Sequence, residues 1–181
     1  MSMTKVTSGI IDTLDASKLT GVMPAMDGSA LTGIGGGGKV LQVVSNHNST
    51  QVGSNVASTW HATGIEANIT LSSVTSKVFI MYTMPIHHSQ PGKRTVSTVF
   101  RGAVGTTNLS PNANMGLAMS QNDDSGYGFT SVETGCVVDS NPNSTSQLLY
   151  TVGYKILDSG LTAYPQINGS NSSIILMEIA E

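Results

Sequence analysis

From Lys39 onward the chain is built from short runs of β-branched and apolar residues that are separated by polar turns. In the clearest run, residues 65–72, every second residue is apolar: Ile65, Ala67, Ile69 and Leu71. Alternate side chains of a strand point to the same face, so this period indicates a strand with one buried face. No convincing helical period lies between the runs, which predicts an all-β fold.

Eight further runs have the length and composition of strands: Val40–Ser45, Lys77–Met84, Thr95–Arg101, Met115–Ser120, Tyr127–Val138, Gln147–Leu157, Leu161–Ile167 and Ser173–Ile179. A bulge is expected at Gly135 and a hairpin turn at Asn168-Gly169. The last run is apolar at nearly every position, which places it in the middle of the fold or at a subunit contact. Together the runs predict antiparallel sheets packed as a jelly-roll-like sandwich.

The first 38 residues have a different pattern. Two similar segments, Asp15–Val22 and Asp27–Ile34, are twelve residues apart and are followed by four glycines, Gly35–Gly38. Each segment has too few apolar residues to form a core alone, so several chains are expected to supply the missing surface. Because glycine is flexible, we predict a hinge there. The expected domains are an N-terminal anchor, residues 1–38, and a β-sandwich head, residues 39–181.

The charge of the chain argues against several partners. Charged residues make up 10% of the sequence and the net charge is −3, so no basic surface is expected to bind nucleic acid. The longest apolar stretch, Val78–Ile86, is too short for a membrane helix, and Met1–Ile11 has no secretory pattern. The single cysteine, Cys136, excludes an intrachain disulfide and is expected to be a buried thiol. We therefore expect synthesis in a cytoplasm and no membrane insertion.

Five segments of the chain resemble one family of proteins: Asp15–Gly21, Lys39–Ser45, Ser72–Lys77 with the following Val78–Ile80, Tyr164–Asn168 and Ile175–Ala180. Together they resemble virion fibre proteins of tailed bacteriophages, especially marine and cyanobacterial ones. The resemblance spans most of the chain. It implies a homotrimer whose N-terminal part docks on other virion proteins and whose C-terminal β domain faces outward.

Several residues are candidates for chemistry, but each has a simpler interpretation. Gly33–Val40 resembles a phosphate-binding loop, yet Val40 replaces the Ser or Thr that binds magnesium, and the glycines precede a strand. His87 and His88 suggest a metal site, but adjacent strand residues point to opposite faces. A polar loop pair after Pro85 is expected instead, although one histidine repeated around a trimer axis could bind an ion. His47 and His61 are isolated, and we expect them at the surface or in turns.

Hydrolytic chemistry has little support. There is no Gly-x-Ser-x-Gly motif, and Asp123 and Asp124, which could act as a glycosidase acid pair, lie in a turn-forming context. Trp60 could stack on a sugar, but a core or subunit contact is favoured. We therefore expect no enzymatic activity, no catalytic residues, no metal site and no cofactor.

The sequence thus predicts a non-enzymatic virion structural protein, a homotrimeric fibre or spike whose head binds a host cell-surface polysaccharide or protein. The candidate recognition loops are Ser89–Arg94, Gln121–Gly128 and Ser140–Ser146, which are polar and rich in turn-forming residues. The individual receptor contacts remain unassigned. The alternative is a capsid decoration or head-fibre (cement) protein that has no receptor role.

Overall fold

The structure, a computed structural model, describes residues 39–121 and 128–181 of the chain. These residues form antiparallel strands and one turn of 3-10 helix, Ile167–Gly169. The strands are β1 (Val40–Asn48), β2 (Trp60–Thr70), β3 (Lys77–His88), β4 (Arg94–Arg101), β5 (Thr107–Asn108), β6 (Ala118–Gln121), β7 (Phe129–Asp139), β8 (Gln147–Ile156), β9 (Ala163–Pro165) and β10 (Ser172–Ile179). The all-β prediction is confirmed. The predicted anchor, residues 1–38, lies outside the described residues.

The strands form two sheets that pack as a sandwich. Sheet A has the order β1-β10-β3-β7, and β9 pairs with the far end of β3. Sheet B has the order β2-β8-β4-β5, and β6 pairs with the other half of β4. With β5 and β6 counted as one interrupted strand and the three-residue β9 left aside, this is the eight-strand order of a jelly roll. The predicted jelly-roll-like sandwich is therefore confirmed.

The predicted strands agree well with the observed ones. Each of the nine runs overlaps a strand, while β5 was not predicted because it has only two residues. The alternation at residues 65–72 is reproduced in β2, where the apolar positions are buried and the intervening positions are exposed. The apolar last run forms β10, which lies between β1 and β3 in the middle of sheet A.

The core lies between the inner faces of the two sheets. It consists of buried apolar and aromatic side chains: Ile65, Ala67, Ile69, Leu71, Val78, Ile80, Tyr82, Met84, Ile86, Val99, Tyr150, Val152, Tyr154, Ile156, Leu161, Ala163, Ile174 and Leu176. β3 alone supplies five of them at every second position. Burial of this apolar surface is the main force that holds the two sheets together.

Side-chain amides of β1 close one edge of the sandwich. Gln42, Asn46 and Asn48 donate hydrogen bonds to backbone carbonyls of β2, with donor–acceptor distances of 2.7, 2.8 and 3.4 Å. β1 and β2 are edge strands of different sheets, so backbone pairing leaves some of their polar groups free. The amides satisfy these groups and join the sheets.

Two local predictions were wrong. No bulge occurs at Gly135, because β3 and β7 pair without a register shift and Tyr82 lies opposite the glycine. Asn168 and Gly169 do form a turn with positive φ, but the strands on either side do not form a hairpin. Both β9 and β10 pair with β3 instead, one after the other along the same edge.

Candidate assembly surface

His87 and His88 lie in a strand, so the prediction that they form a polar loop pair after Pro85 was wrong. They are the last residues of β3, and Pro85 also lies within this strand. His88 is fully buried between the sheets, whereas His87 is half-buried on the outer side and its Nδ1 is 3.1 Å from the Thr130 hydroxyl. The expectation that they point to opposite faces is confirmed. They therefore do not converge on one ion.

His88 belongs to a buried polar cluster that joins the sheets near the end of β3. The hydroxyls of Thr95 and Ser120 each donate to Glu133 Oε1 at 2.7 Å. His88 Nε2 lies 2.8 Å from Thr95 Oγ1 and 3.2 Å from Ser120 Oγ. Sheet A supplies the histidine and the glutamate, and sheet B supplies both hydroxyls. This cluster was not predicted, because His88 and Glu133 are far apart in the sequence.

Burial determines the electrostatics of this cluster. Burial raises the pKa of Glu133, and Glu133 Oε2 has no hydrogen-bond partner among the described residues. Burial, followed by the neighbouring His87, lowers the pKa of His88 to about 4. Both shifts favour the uncharged forms, since charge is costly away from water. His88, Thr95 and Glu133 are buried and Ser120 is half-buried, and the hydrogen bonds of the cluster connect the two sheets.

The other candidate residues are dispersed. Cys136 is exposed, so the predicted buried thiol was wrong: Gly135 takes the inward position of β7 and its neighbour points outward. His47 is exposed on β1, and His61 lies on β2, where its Nε2 is 2.9 Å from the Val56 carbonyl. Trp60 is half-buried outside the core cluster, and its ring packs edge-on against Phe100 with centroids 5.4 Å apart.

The residues that the structure describes contain no group of three or more His, Cys, Asp or Glu side chains placed to hold an ion. Asp123 and Asp124 lie outside the described residues. So do most residues of Gly33–Val40, the segment that resembles a phosphate-binding loop. In the described part of the chain, no helix has the length and apolar character needed to cross a membrane.

The three candidate recognition loops lie at opposite ends of the sandwich. Ser89–Arg94 follows the end of β3, and Gln121–Gly128, whose residues 122–127 are not described, precedes Phe129, which pairs with His88. Ser140–Ser146 follows Asp139, which pairs with Val78 at the start of β3. Ten residue steps along β3, from Val78 to His88, separate the two ends by about 33 Å. We call the end at His88 the distal end and the end at Val78 the proximal end.

Lys39, the first described residue, lies at the proximal end. Its carbonyl accepts a hydrogen bond from the Ala180 amide at 2.9 Å. Val40 pairs with Ile179, and Ile179 pairs with Lys77 at the start of β3. Of the three candidate loops, only Ser140–Ser146 therefore lies at the same end of the sandwich as Lys39.

The outer face of sheet A, which we call the apolar face, carries exposed apolar side chains. Two rows of paired residues cross β1, β10, β3 and β7 on this face. The first row is Val43, Met177, Phe79 and Val138, and the second is Ser45, Ile175, Met81 and Cys136. Val43 and Val138 are 57% and 47% exposed, and Val132, further along β7, is 62% exposed. Large apolar side chains in register across four strands are unusual for a solvent-facing sheet.

Charge is nearly absent from the apolar face. Of the residues that face outward on these four strands, Lys77 alone is Lys, Arg, Asp or Glu, and it lies at a corner in an ion pair with Glu181. Ser173, Thr83 and Thr134 form the next row beyond Cys136 and make the border polar. The sequence carries one signal of this face, since the run in β10 is apolar at outward as well as inward positions.

Comparison with known proteins gives little similarity. No protein-family model and no curated protein sequence matches the chain. Among solved structures, there is weak similarity to a chain in the structure of infectious bursal disease virus, Gt strain, with 13% identity and a TM-score of 0.20. The alignment covers 77% of this chain and 40% of the viral chain, so this chain spans less than half of the viral protein's length.

Proposed function

We propose that this protein is a non-enzymatic structural component of a virion, a homotrimeric fibre or spike that attaches to the particle through residues 1–38 and displays the β-sandwich head. The apolar face is the observation that carries this proposal, because a head that leaves such a surface open is suited to assembly. The resemblance of the five sequence segments to phage fibre proteins supports the same role. Jelly rolls are also common in viral capsid and lectin domains, although a fold alone does not fix function.

The distal end is the proposed host-binding end. The described head begins with Lys39 at the proximal end, so we propose that this end faces the particle and that the loops Ser89–Arg94 and Gln121–Gly128 are the candidates for host binding. Loops on a rigid scaffold commonly carry recognition. Three heads on each fibre and several fibres on each particle raise the effective concentration, so weak contacts with a cell-surface polysaccharide or protein suffice for attachment.

Location on the particle is tested by labelling virions with Fab fragments raised against residues 39–181 and imaging them by electron microscopy. Labelling at the tail or at discrete projections supports the fibre role. Uniform labelling of the shell favours the alternative, a capsid decoration protein that needs no receptor. Virions without label contradict the proposal.

Host binding is tested by inserting the same short polar peptide at two exposed positions, after Gly92 at the distal end or after Thr145 at the proximal end. Exposed loop tips tolerate such insertions, so both heads are expected to fold. The trimeric head should compete with infection, and only the distal insertion should reduce this competition. An equal effect of both insertions, or no competition by the unmodified head, would contradict the assignment of the distal end.

A further inference from the structure

We infer that the apolar face of sheet A is the surface through which copies of this chain pack against one another. This inference rests on the assembly role proposed above and assigns the assembly to β1, β10, β3 and β7. A sheet face of this kind is stabilised when a second apolar surface packs over it.

The composition of the face fits a protein interface. Its centre contains Phe79, Met81 and Met177, and aromatic residues and methionine are enriched at interface cores, from which charge is depleted. Its border contains Ser, Thr and His side chains, as expected for a polar rim. Met81, Thr134 and Ser173 also line a depression of about 80 Å³ that a side chain from a partner can enter.

The size of the face fits a partner of similar dimensions. Four strands spaced about 4.8 Å apart, over about six residue steps, give the four-strand part an area of roughly 400 Å². Beyond the polar row, Pro85 and Val132 form a smaller apolar patch on the β3–β7 pair. One partner in a standard interface contributes about 800 Å², which includes a polar rim. The apolar face therefore supplies the centre of such an interface.

The charge of the face favours a second copy over an oppositely charged partner. An uncharged face neither attracts a basic or acidic protein nor repels an identical face. In a homotrimer each contact joins different parts of the surfaces of two neighbouring chains, and three copies of the apolar face can together surround the axis. Cys136 lies in the second row of the face, so its thiol becomes shielded when copies associate.

The test compares two double variants with matched chemistry. Val43→Lys/Val138→Lys places charges at both ends of the first row. Val56→Lys/Val74→Lys changes two valines that are similarly exposed, 53% and 52%, but lie in loops outside this face. Far-UV circular dichroism establishes that each variant is folded. Sedimentation velocity at micromolar concentration gives the mass, and reaction with a disulfide reagent gives the accessibility of Cys136.

The unmodified protein and the loop variant are expected to be trimers with a slow thiol reaction. The face variant is expected to be a folded monomer whose thiol reacts about tenfold faster, because thiol exchange depends on access. A face variant that remains trimeric would overturn the inference. An unmodified protein that is monomeric would also overturn the inference, both when its Cys136 thiol is accessible and when another part of its own chain covers the thiol.

The inference and the proposed function can fail separately. If virions carry the protein but the face variant stays trimeric, the assigned surface is wrong and the virion role stands. If the face variant dissociates but virions do not carry the protein, the surface is correct and the virion role is wrong.

Discussion

The ring of Tyr82 lies directly against Gly135 on the neighbouring strand. A Cβ atom added to Gly135 would be 2.5 Å from Tyr82 Cε1 and 2.6 Å from its hydroxyl oxygen. The tyrosine cannot easily move, because it is buried and its hydroxyl lies 2.8 Å from Ser97 Oγ on the opposite sheet. The glycine is therefore needed for the close approach of an aromatic ring. This contact accounts for a glycine within β7, where the strand pairing shows no bulge.

Replacing this glycine should destabilise the head. Gly135→Ala adds a methyl group to a filled site, and overpacking of this kind costs about 1–3 kcal/mol. Urea denaturation should show the loss, while Asn68→Ala, at an exposed position of β2 away from the apolar face, should have little effect. In a Tyr82→Leu background the cost of Gly135→Ala should be smaller, because the clashing ring is absent. Equal costs in both backgrounds would show that the ring is not the cause.

The same strand shows what could and could not be predicted from the sequence. β7 and the other long strands were predicted because alternation and β-branched residues are local signals. The close contact of Tyr82 with Gly135 depends on which strands pair, and nothing local in the sequence encodes that pairing. The phase of β7 at Cys136 was missed for a related reason, since Val137 and Val138, which follow the cysteine, point to opposite faces and do not fix its direction. The contact between His88 and Glu133 depends in addition on how the two sheets pack.

The phase of β2 gives a second prediction. Ile69 is 2% exposed in the core, whereas Asn68 points to solvent. Ile69→Asp should abolish soluble expression, since an unpaired buried carboxylate costs several kcal/mol against a total stability of about 5–15 kcal/mol. Asn68→Asp should express normally and unfold within about 0.5 kcal/mol of the unmodified head. Similar yields of soluble protein from both variants would contradict the assigned strand phase.

The buried carboxylate of Glu178 should make the head sensitive to acid. Its Oε1 accepts from the Ser72 amide at 2.8 Å and the Ser72 hydroxyl at 2.6 Å, and its Oε2 accepts from the Gln42 amide at 2.6 Å. Burial acts to raise the pKa of Glu178, but these hydrogen bonds outweigh it and lower the pKa to about 2. A lowered pKa stabilises the fold above the unfolded value of 4.5, and this stability is lost as the pH falls from 4.5 toward 2.

Glu178→Gln removes this contribution. The variant should lose about 2–4 kcal/mol of stability at pH 7. A neutral amide replaces the charged acceptor, and an N–H group of this amide faces the Ser72 donors, with which it cannot form a hydrogen bond. Its difference from the unmodified head should shrink below pH 4.5 in urea denaturation. Glu66→Gln, which changes a carboxylate at an exposed position of β2, is the matched control. A constant difference between pH 7 and pH 3 would contradict the role of the ionised carboxylate.

Glu133 should have the opposite pH dependence. Its pKa is raised by burial, so the folded state favours the neutral acid and loses stability as the pH rises from the unfolded value of 4.5 through the folded value. Glu133→Gln keeps an oxygen that can accept from Thr95 and Ser120 but cannot ionise. The stability of the variant minus that of the unmodified head should therefore increase above pH 4.5, by at most about 1.4 kcal/mol per pH unit, and then level off.

Comparing the stability of Glu133→Gln with that of the unmodified head separates the pH dependence due to Glu133 from that due to His88. The pKa of His88 is lowered from 6.5 to about 4, so it reduces stability as the pH falls through that range. His88 is present in both proteins, and its contribution largely cancels in the comparison. Urea denaturation of both proteins between pH 4 and pH 9 provides the measurement, with Glu66→Gln as the matched control. A pH-independent difference would show that Glu133 is already ionised in the fold, and that the cluster joins the sheets as a carboxylate.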